Sequence, residues 1–484
     1  MVEKSKYSYL IPGILSFMLL SIGAFSFALS RPEMYIFAPF FGVICVYLIV
    51  SYGILLSGKE YIRRTWWWGK KDFYPTVDVF LPICGESVDV ILDAWRETAK
   101  LDWPKRRLNI YVLDDGKGDS MLPLALSFGF KYIKRKTNEF KKAGNLLNAF
   151  KQTSGEFILV LDADFAPKKD FLKQTIPYMY YDKTTAIVQT PQYFEVKDRM
   201  NWIERGSGYV QELFYRLVQT SRDRHGGSIC VGSCAVYRRS SLEAVGGFRQ
   251  VQHSEDVWTG FTLVNAGGKI KYIPENLSVG RCPDNLKAFF NQQYRWCSGS
   301  MSLLFSREFW KSNLTKMQKL CYFSGMIYYF SSAIGIFLLN LPSMIIVNFY
   351  PENLHWFNMI FYVPSFLFGS IGVWHWSTYS NKDFDFLKLR HVSYYAHFFA
   401  LKDKLLNSTM LWVPTGASKS GGSRYESFLW VCSIWSSVCL LSILFGAWQA
   451  YGKINPINLI MPVLFSFFNF WLSASSILNR NPVK

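Results

Sequence analysis

Apolar residues fall into two regimes along this chain. At both ends they run on for some twenty residues with almost no charge. Between the ends they come in short bursts separated by polar stretches. Residues 9–29 and 34–56 are two long runs, each close to the ~20 residues that a helix needs to cross a bilayer. The same pattern returns at 320–347, 356–376, 428–448 and 457–477. Six predicted spans divide the chain into an N-terminal hairpin (1–57), a polar middle (58–310) and a C-terminal membrane region with four spans (311–484). Asn340 and Pro342 inside the third run predict a kink or an early end there. Residues 384–406 are apolar and aromatic but interleaved with Lys388, Arg390, Lys402, Asp403 and Lys404, which predicts an amphipathic interfacial helix rather than a span. Residues 285–305 have the same character.

In the middle region, strands are predicted at 77–82, 109–113, near Tyr132 and at 157–161, with helices at 88–100, 121–128 and 142–150. Alternation of this kind predicts a mostly parallel α/β sheet covered on both faces.

Charge adds an orientation. The chain of 484 residues carries 53 Lys and Arg against 35 Asp and Glu, a net +18. Half of its residues are hydrophobic, yet the mean hydropathy is only +0.08, as expected of apolar ends around a polar centre. Lys4 and Lys6 precede the first hairpin, and Lys59, Arg63, Arg64, Lys70 and Lys71 follow it, which places both flanks in the cytoplasm. Arg480 and Lys484, after six spans, lie on the same side. The length of the first run, with a second close behind, argues for a retained anchor and against a cleaved leader. Trp66, Trp67 and Trp68 either sit at headgroup level or pack on the soluble domain. The basic excess suits membrane lipid or an anionic substrate. No nucleic-acid module is recognisable, so nucleic acid is not an expected partner. The nine cysteines form no Cys-x-x-Cys matched by a His pair, which argues against structural zinc and predicts reduced thiols. Without Gly-x-Gly-x-x-Gly or a P-loop, dinucleotide and ATP-hydrolysing functions lose their usual support.

Five short stretches carry chemistry. In Phe157-Ile-Leu-Val-Leu-Asp-Ala-Asp164, five apolar residues run into two carboxylates. Ligands of open α/β sheets bind beyond the carboxyl ends of the strands. Asp162 and Asp164 therefore either rim a pocket, offering hard oxygens to Mg²⁺ or Mn²⁺ and through it to a diphosphate, or merely end a strand in a turn. The strand at 109–113 also ends in acid, at Asp114-Asp115-Gly116, and two acidic strand ends can face one crevice. Lys142-Ala-Gly-Asn145 opens a helix between them, where a cation and free N–H groups meet an anion, unless it is a solvated lysine before a tight turn. Asp256, in His253-Ser-Glu-Asp256, heads a predicted helix at 257–265. It is either an N-terminal box residue or a base held ionised near a substrate hydroxyl. Gln292, Arg295 and Trp296 lie three and four apart and so share a helical face. Arginine forks onto phosphate oxygens and an indole offers a flat face to a sugar, although an amphipathic helix with a lipid anchor fits the same pattern.

The order Asp-Asp-Gly, Asp-x-Asp, Ser-Glu-Asp, Gln-x-x-Arg-Trp, between flanking spans, resembles the family 2 glycosyltransferases of the cellulose synthase type. The resemblance implies an α/β GT-A-like cytoplasmic domain inserted in an α-helical transmembrane domain. It implies that Asp114 and Asp115 contact the uridine of a UDP-sugar, that Lys142 and Asn145 lie near the nucleotide, and that Asp162 and Asp164 hold Mg²⁺ or Mn²⁺. Asp256 would be the base. Arg295 would meet the diphosphate, and Glu255, Gln292 and Trp296 would bind the acceptor, a growing polysaccharide. The enzyme would be an inverting, processive hexosyltransferase, with UDP-glucose the foremost donor, in the inner (plasma) membrane with both termini cytoplasmic and with accessory export proteins as further partners. Transfer of one sugar to a lipid carrier, and a transporter or receptor with an inactive transferase-like domain, are the rival readings. The sequence departs from the pattern in places. Ser254 stands where the family has Thr. Ile229-Cys230-Val231-Gly232-Ser233 replaces Phe-Phe-Cys-Gly-Ser, which leaves the acceptor open. No cyclic-di-GMP-binding domain is expected. Residues 412–415 with Lys419 resemble a gating loop or form a Gly/Ser-rich linker.

Overall fold

The structure, a computed structural model, describes residues 7–57, 74–116, 118, 121–197, 199–251, 254–371, 384–408 and 424–481. Lys4, Lys6, Lys59, Arg63, Arg64, Trp66 to Trp68, Lys70, Lys71, His253, residues 412–415, Lys419 and Lys484 lie outside them, as does the end of the span expected at 356–376.

The apolar bursts of the middle region become strands β1 (Val77–Ile83), β2 (Leu108–Asp114), β3 (Lys131–Lys134), β4 (Phe157–Val160), β5 (Phe165–Pro167), β6 (Thr185–Gln189), β7 (Ala235–Arg238), β8 (Lys269–Tyr272) and β9 (Ser278–Gly280). Seven of them form one sheet in the order β3-β2-β1-β4-β7-β6-β8, and β5 pairs with β9 beside it. All neighbours in the large sheet run parallel except at β7, which is antiparallel to both β4 and β6. Every residue of β1, β4, β6 and β7 is buried, which is why these strands read as continuous apolar runs rather than alternating ones. The register pairs Ile83 with Asp114 and Phe80 with Val160, so the acidic ends of β2 and β4 open on one edge of the sheet.

Among the described residues, five helical segments are long and apolar enough to cross a bilayer: Leu10–Ala28, Pro32–Ser57, Lys316–Phe349, Tyr425–Ala450 and Ile457–Leu478. The expected interruption of the third is present. Helix Lys316–Leu338 stops, Asn340 donates its amide to the Ile336 carbonyl at 3.0 Å, and a second helix, Leu341–Phe349, starts with Pro342 in its first turn. The Asn340 Oδ1 accepts a 2.7 Å bond from Asn469 on the last span. Of the run at 356–376, the described part is the 3₁₀ segment Trp356–Phe361 and the helix Val363–Ile371.

One expectation needs correcting. The stretch at 384–406 is indeed helical, as Asp385–Leu405, but protein covers it where lipid headgroups were expected. Phe386, Leu389, Val392, Tyr395 and Phe399 are buried, and the helix packs on Trp202–Leu213, Leu286–Leu304, Lys316–Leu338 and Ile457–Leu478. Several of its polar residues find partners inside the protein. Asp385 pairs with Arg205 at 2.5 Å, His391 with Ser473 at 2.8 Å, His397 with Ser332 at 2.7 Å, and Asp403 accepts from Tyr294 at 2.8 Å. Interleaved polarity here records partners inside the protein.

At the edge of the sheet opposite the acids, Asp78 of β1 is fully buried against Arg239, 3.1 Å away. Asp78 also accepts from Asn109 and from the Gly155 N–H, while Arg239 donates to the carbonyls of Gly155 and Phe150. A buried pair is costly to break on one side, because the surviving charge is left uncompensated. We expect Asp78→Ala to cost about 3–5 kcal/mol, read as a lower apparent melting temperature in detergent. An unchanged melting temperature would show that the pair does not bind the sheet together.

Candidate active site

Everything at the acidic edge is arranged around Lys142. The turn before its helix, Lys141–Gln152, is left-handed at Phe140 (φ 54°) and Lys141 (φ 50°), and Arg135 holds it by donating to the carbonyls of Glu139 and Lys141. The helix start places the Lys142 ammonium 2.5 Å from Asp162 Oδ1, 2.8 Å from the Gly232 carbonyl and 3.8 Å from Glu255. Burial works against this ammonium. Asp162, Glu255 and Asp256 outweigh it and hold the lysine above its ordinary range.

Asp114 and Asp115 are engaged by the protein itself. The buried Asp114 accepts 2.5 Å from the Tyr132 hydroxyl and 2.6 Å from the Gly116 N–H, closing the turn after β2. Asp115 forks onto Arg135 through two 2.6 Å bonds. Any ligand contact from either comes on top of these bonds. Asn145 donates to the Leu113 carbonyl at 2.9 Å, and its Oδ1 is buried with no hydrogen-bond partner among the described residues.

Asp162 and Asp164 stand side by side after β4. Burial, and then the Asp162 charge, push Asp164 up to about 7. Glu86, in the loop after β1, is raised by burial, with Asp162 and Asp114 acting in the same direction. The sequence reading missed Glu86. Only the pairing of β1 with β2 brings that loop beside the other acids. No group of three His, Cys, Asp or Glu forms a ready metal cluster among the described residues. Two hard carboxylates crowded with a third acid nevertheless fit a dication that draws its remaining ligands from a phosphate substrate.

Asp256 opens helix Glu255–Asn265, after Ser254 in the left-handed conformation (φ 51°), and accepts 2.8 Å from the Val257 N–H. Burial and then Glu255 raise it to about 7, with Lys142 pulling the other way. Two glycines press it into place. A Cβ on Gly232 (φ +80°) would come within 2.8 Å of Asp256 Oδ2, and one on Gly299 would overlap Ser254 Oγ. The Gly232 loop is in turn pinned. Gln189 accepts from the Val231 N–H and donates to the Ser233 carbonyl, and Ser233 Oγ accepts from the Asp162 N–H at 2.8 Å. One loop therefore positions Asp162 and Asp256 together, a link with no short-range signal.

Helix Leu286–Leu304 carries Gln292, Arg295 and Trp296, and the single shared face expected for them divides. Arg295 turns to the acids. Burial lowers its guanidinium while Asp162, Glu255 and Asp164 act to raise it. Trp296, with Gln293 and Ser300, lines a cavity of about 1370 Å³, whereas Gln292 is buried away from that cavity. The cavity reaches from Asp256 and Trp296 between the membrane helices, past Tyr47, Tyr328, Tyr329 and Tyr394, to Arg31 and Tyr350. Asp256 is its sole carboxylate among the described residues.

Sheet order and acidic edge define a GT-A glycosyltransferase fold. A mannosyltransferase from Pyrobaculum calidifontis, solved in complex with GDP-Man and Mn²⁺, shares it with a TM-score of 0.54 at 14% identity, over 81% of this chain and 100% of that one. Residues 78–246 match Glycosyl transferase family 2, and residues 247–385 match Cellulose synthase. The cellulose synthase 1 catalytic subunit (UDP-forming) of Komagataeibacter xylinus is 31% identical over 288 residues, covering 58% of this chain and 38% of that protein. The corresponding subunit of Pseudomonas fluorescens (strain SBW25) is 33% identical over 288 residues, covering 58% and 39%. The chain belongs to the family 2 glycosyltransferases of the cellulose synthase type, through residues 78–385, and it is an integral membrane protein.

For a site that turns over a nucleotide sugar, Gly232→Ala displaces Asp256 while leaving the sheet intact. We expect turnover to fall about 10²-fold, the cost of a displaced group at a reacting centre, with a melting temperature lowered only modestly by alanine at a left-handed position. Wild-type turnover in this variant would remove Gly232 from the site's architecture.

Proposed function

We propose that the protein is an inverting, processive glycosyltransferase that polymerises a nucleotide sugar, UDP-glucose foremost, into a β-linked polysaccharide and passes it across the membrane. One observation carries this reading. Asp256, close to Lys142 and Asp162, also lines the cavity that runs between the apolar helices to Arg31 and Tyr350, which supports a path by which a chain extended at Asp256 would leave between those helices.

In this mechanism the donor diphosphate lies against Lys142 and Arg295, whose charges stabilise it as it departs. A divalent cation held by Asp162 and Asp164 supplies Lewis-acid stabilisation of that leaving group when bound. The acceptor sugar stacks on Trp296 and presents its hydroxyl to Asp256. Asp256 takes the hydroxyl proton as the oxygen attacks the anomeric carbon in line, inverting its configuration. A base raised toward neutrality suits this step, since proton affinity and the ionised fraction are then both useful near pH 7. Hydroxyls of tyrosine and serine alternate with phenylalanine along the cavity, a lining that matches the hydroxyl edges and apolar faces of a glycan. The orientation follows from the flanking lysines and arginines: catalytic domain and both termini in the cytoplasm of a plasma-membrane protein. Export partners on the far side would receive the chain.

Purified protein in liposomes, given radiolabelled UDP-glucose and Mn²⁺ or Mg²⁺, tests the proposal. It should make a product many sugars long, and Asp256→Asn should lower the yield at least ~10²-fold. Activity should rise with pH through about 7, as Asp256 loses its proton. Single-sugar products would favour the lipid-carrier reading, and wild-type yield from Asp256→Asn would reject the base.

A further inference from the structure

Arg222 is a buried charge with no carboxylate among the groups that face it. It lies in the last turn of the helical stretch Trp202–Asp223, one turn after the π-helical turn Phe214–Val218, a widening often found at functional sites. The side chain is 3% exposed and lines the cavity where the catalytic domain meets the membrane helices. Its guanidinium makes one hydrogen bond among the described residues, 2.9 Å from Nη2 to Ser324 Oγ, and its Nε has no partner. The groups that face it are Cys321, Tyr322 and Tyr329 of helix Lys316–Leu338 and Tyr47 of the second span, none of them a carboxylate. The neighbouring acid, Asp223, is committed to Lys271 and to the Tyr272 N–H. Room for the guanidinium comes from Gly325, where a Cβ would approach Nη2 to 3.0 Å.

Burying a cation without a counter-charge is costly, and replacing it with an apolar side chain normally stabilises a protein. Such groups persist where function needs them. A guanidinium offers five donors in a rigid fork, always charged, and sugar hydroxyl and ring oxygens are acceptors that can meet several at once. A protein carboxylate in the same place would saturate those donors. We propose that Arg222 grips the nascent glycan as it passes from the catalytic domain into the membrane path, holding sugars already added so that the chain end stays at Asp256 between transfers. This rests on the polymerising reading above. It makes Arg222 a positioning residue for processivity, outside the transfer chemistry. Tyr47 interacts electrostatically with both Arg222 and Arg390, so the grip stands at the head of a row that continues along the cavity wall.

The test compares Arg222→Met and Arg222→Lys with the wild type in liposomes, using UDP-glucose and a short β-linked glucose oligosaccharide as acceptor. Product length, the rate of first transfer to the oligosaccharide, and the melting temperature are read together. Loss of hydrogen bonds from a charged donor should release the glycan about tenfold faster, so Arg222→Met should shorten the product by about that factor, well beyond any change in first transfer. Its melting temperature should equal or exceed that of the wild type, and Arg222→Lys should recover part of the length. Unchanged product length in Arg222→Met overturns the proposal, as does an equal fall in length and first transfer with a lowered melting temperature. A wild type that adds one sugar only overturns the polymerising reading and this inference with it. Wild-type polymer of a length insensitive to Arg222 overturns this inference alone.

Discussion

The rest of the structure depends on an imbalance of charge around Lys142. Asp162, Glu255 and Asp256 all act on one ammonium, Arg295 stands behind it, and Glu86 and Asp164 add to the negative side. In water such crowding would be screened. Inside a protein the crowding adds to burial, which leads in raising Asp164 and Asp256 to about 7 and Glu86 above its ordinary range. A pocket in this condition is poised for added positive charge. Asp162 and Asp164 would hold a divalent cation there, and Lys142 and Arg295 would stand beside the phosphate oxygens of a diphosphate. Burial leads in raising Asp256, and Glu255 adds to it, into a range where a carboxylate can take up a proton near neutral pH. Burial and crowding thus act together on Asp164 and Asp256.

That crowding needs rigid geometry, and backbone supplies it. The loop through Gly232 and Ser233 touches Lys142, Asp162 and Asp256 at once, and Gln189 fixes the loop from the sheet. On the opposite flank, Gly299 lets the Leu286–Leu304 helix close against Ser254. Glycine appears at both places because any side chain would occupy the space of Asp256 or of Ser254.

How much of this was legible in the sequence differs by distance along the chain. The strands at 77, 109 and 157, and the acids that end the latter two, were readable because a buried parallel strand writes itself as an apolar run and its ligand end follows directly. The motifs at 114, 162, 256 and 292–296 were readable for the same reason: each is a short-range pattern. Glu86 was not, since its neighbours arrive by strand pairing with a stretch some thirty residues away. Nor was the Gln189 tie to Val231 and Ser233, a long-range bond between a strand end and a loop. The helix Asp385–Leu405 misled because charged residues that pair inside protein give the same interleaved pattern as charged residues that face headgroups. The division of Gln292 from Trp296 was hidden by a related ambiguity. Three- and four-residue spacing puts side chains on one side of a helix, but in a helix packed among several elements adjacent positions of that side meet different neighbours.

The central claim is that the crowded acids form a donor site completed by a divalent cation. Calorimetric titration of UDP into the purified full chain, with Mn²⁺ and then with a chelator, tests it most directly and without any demand for turnover. We predict binding with Mn²⁺ that disappears in chelator and is lost in Asp162→Asn and Asp164→Asn. UDP binding of equal strength in chelator, or unaltered by both substitutions, would contradict the account.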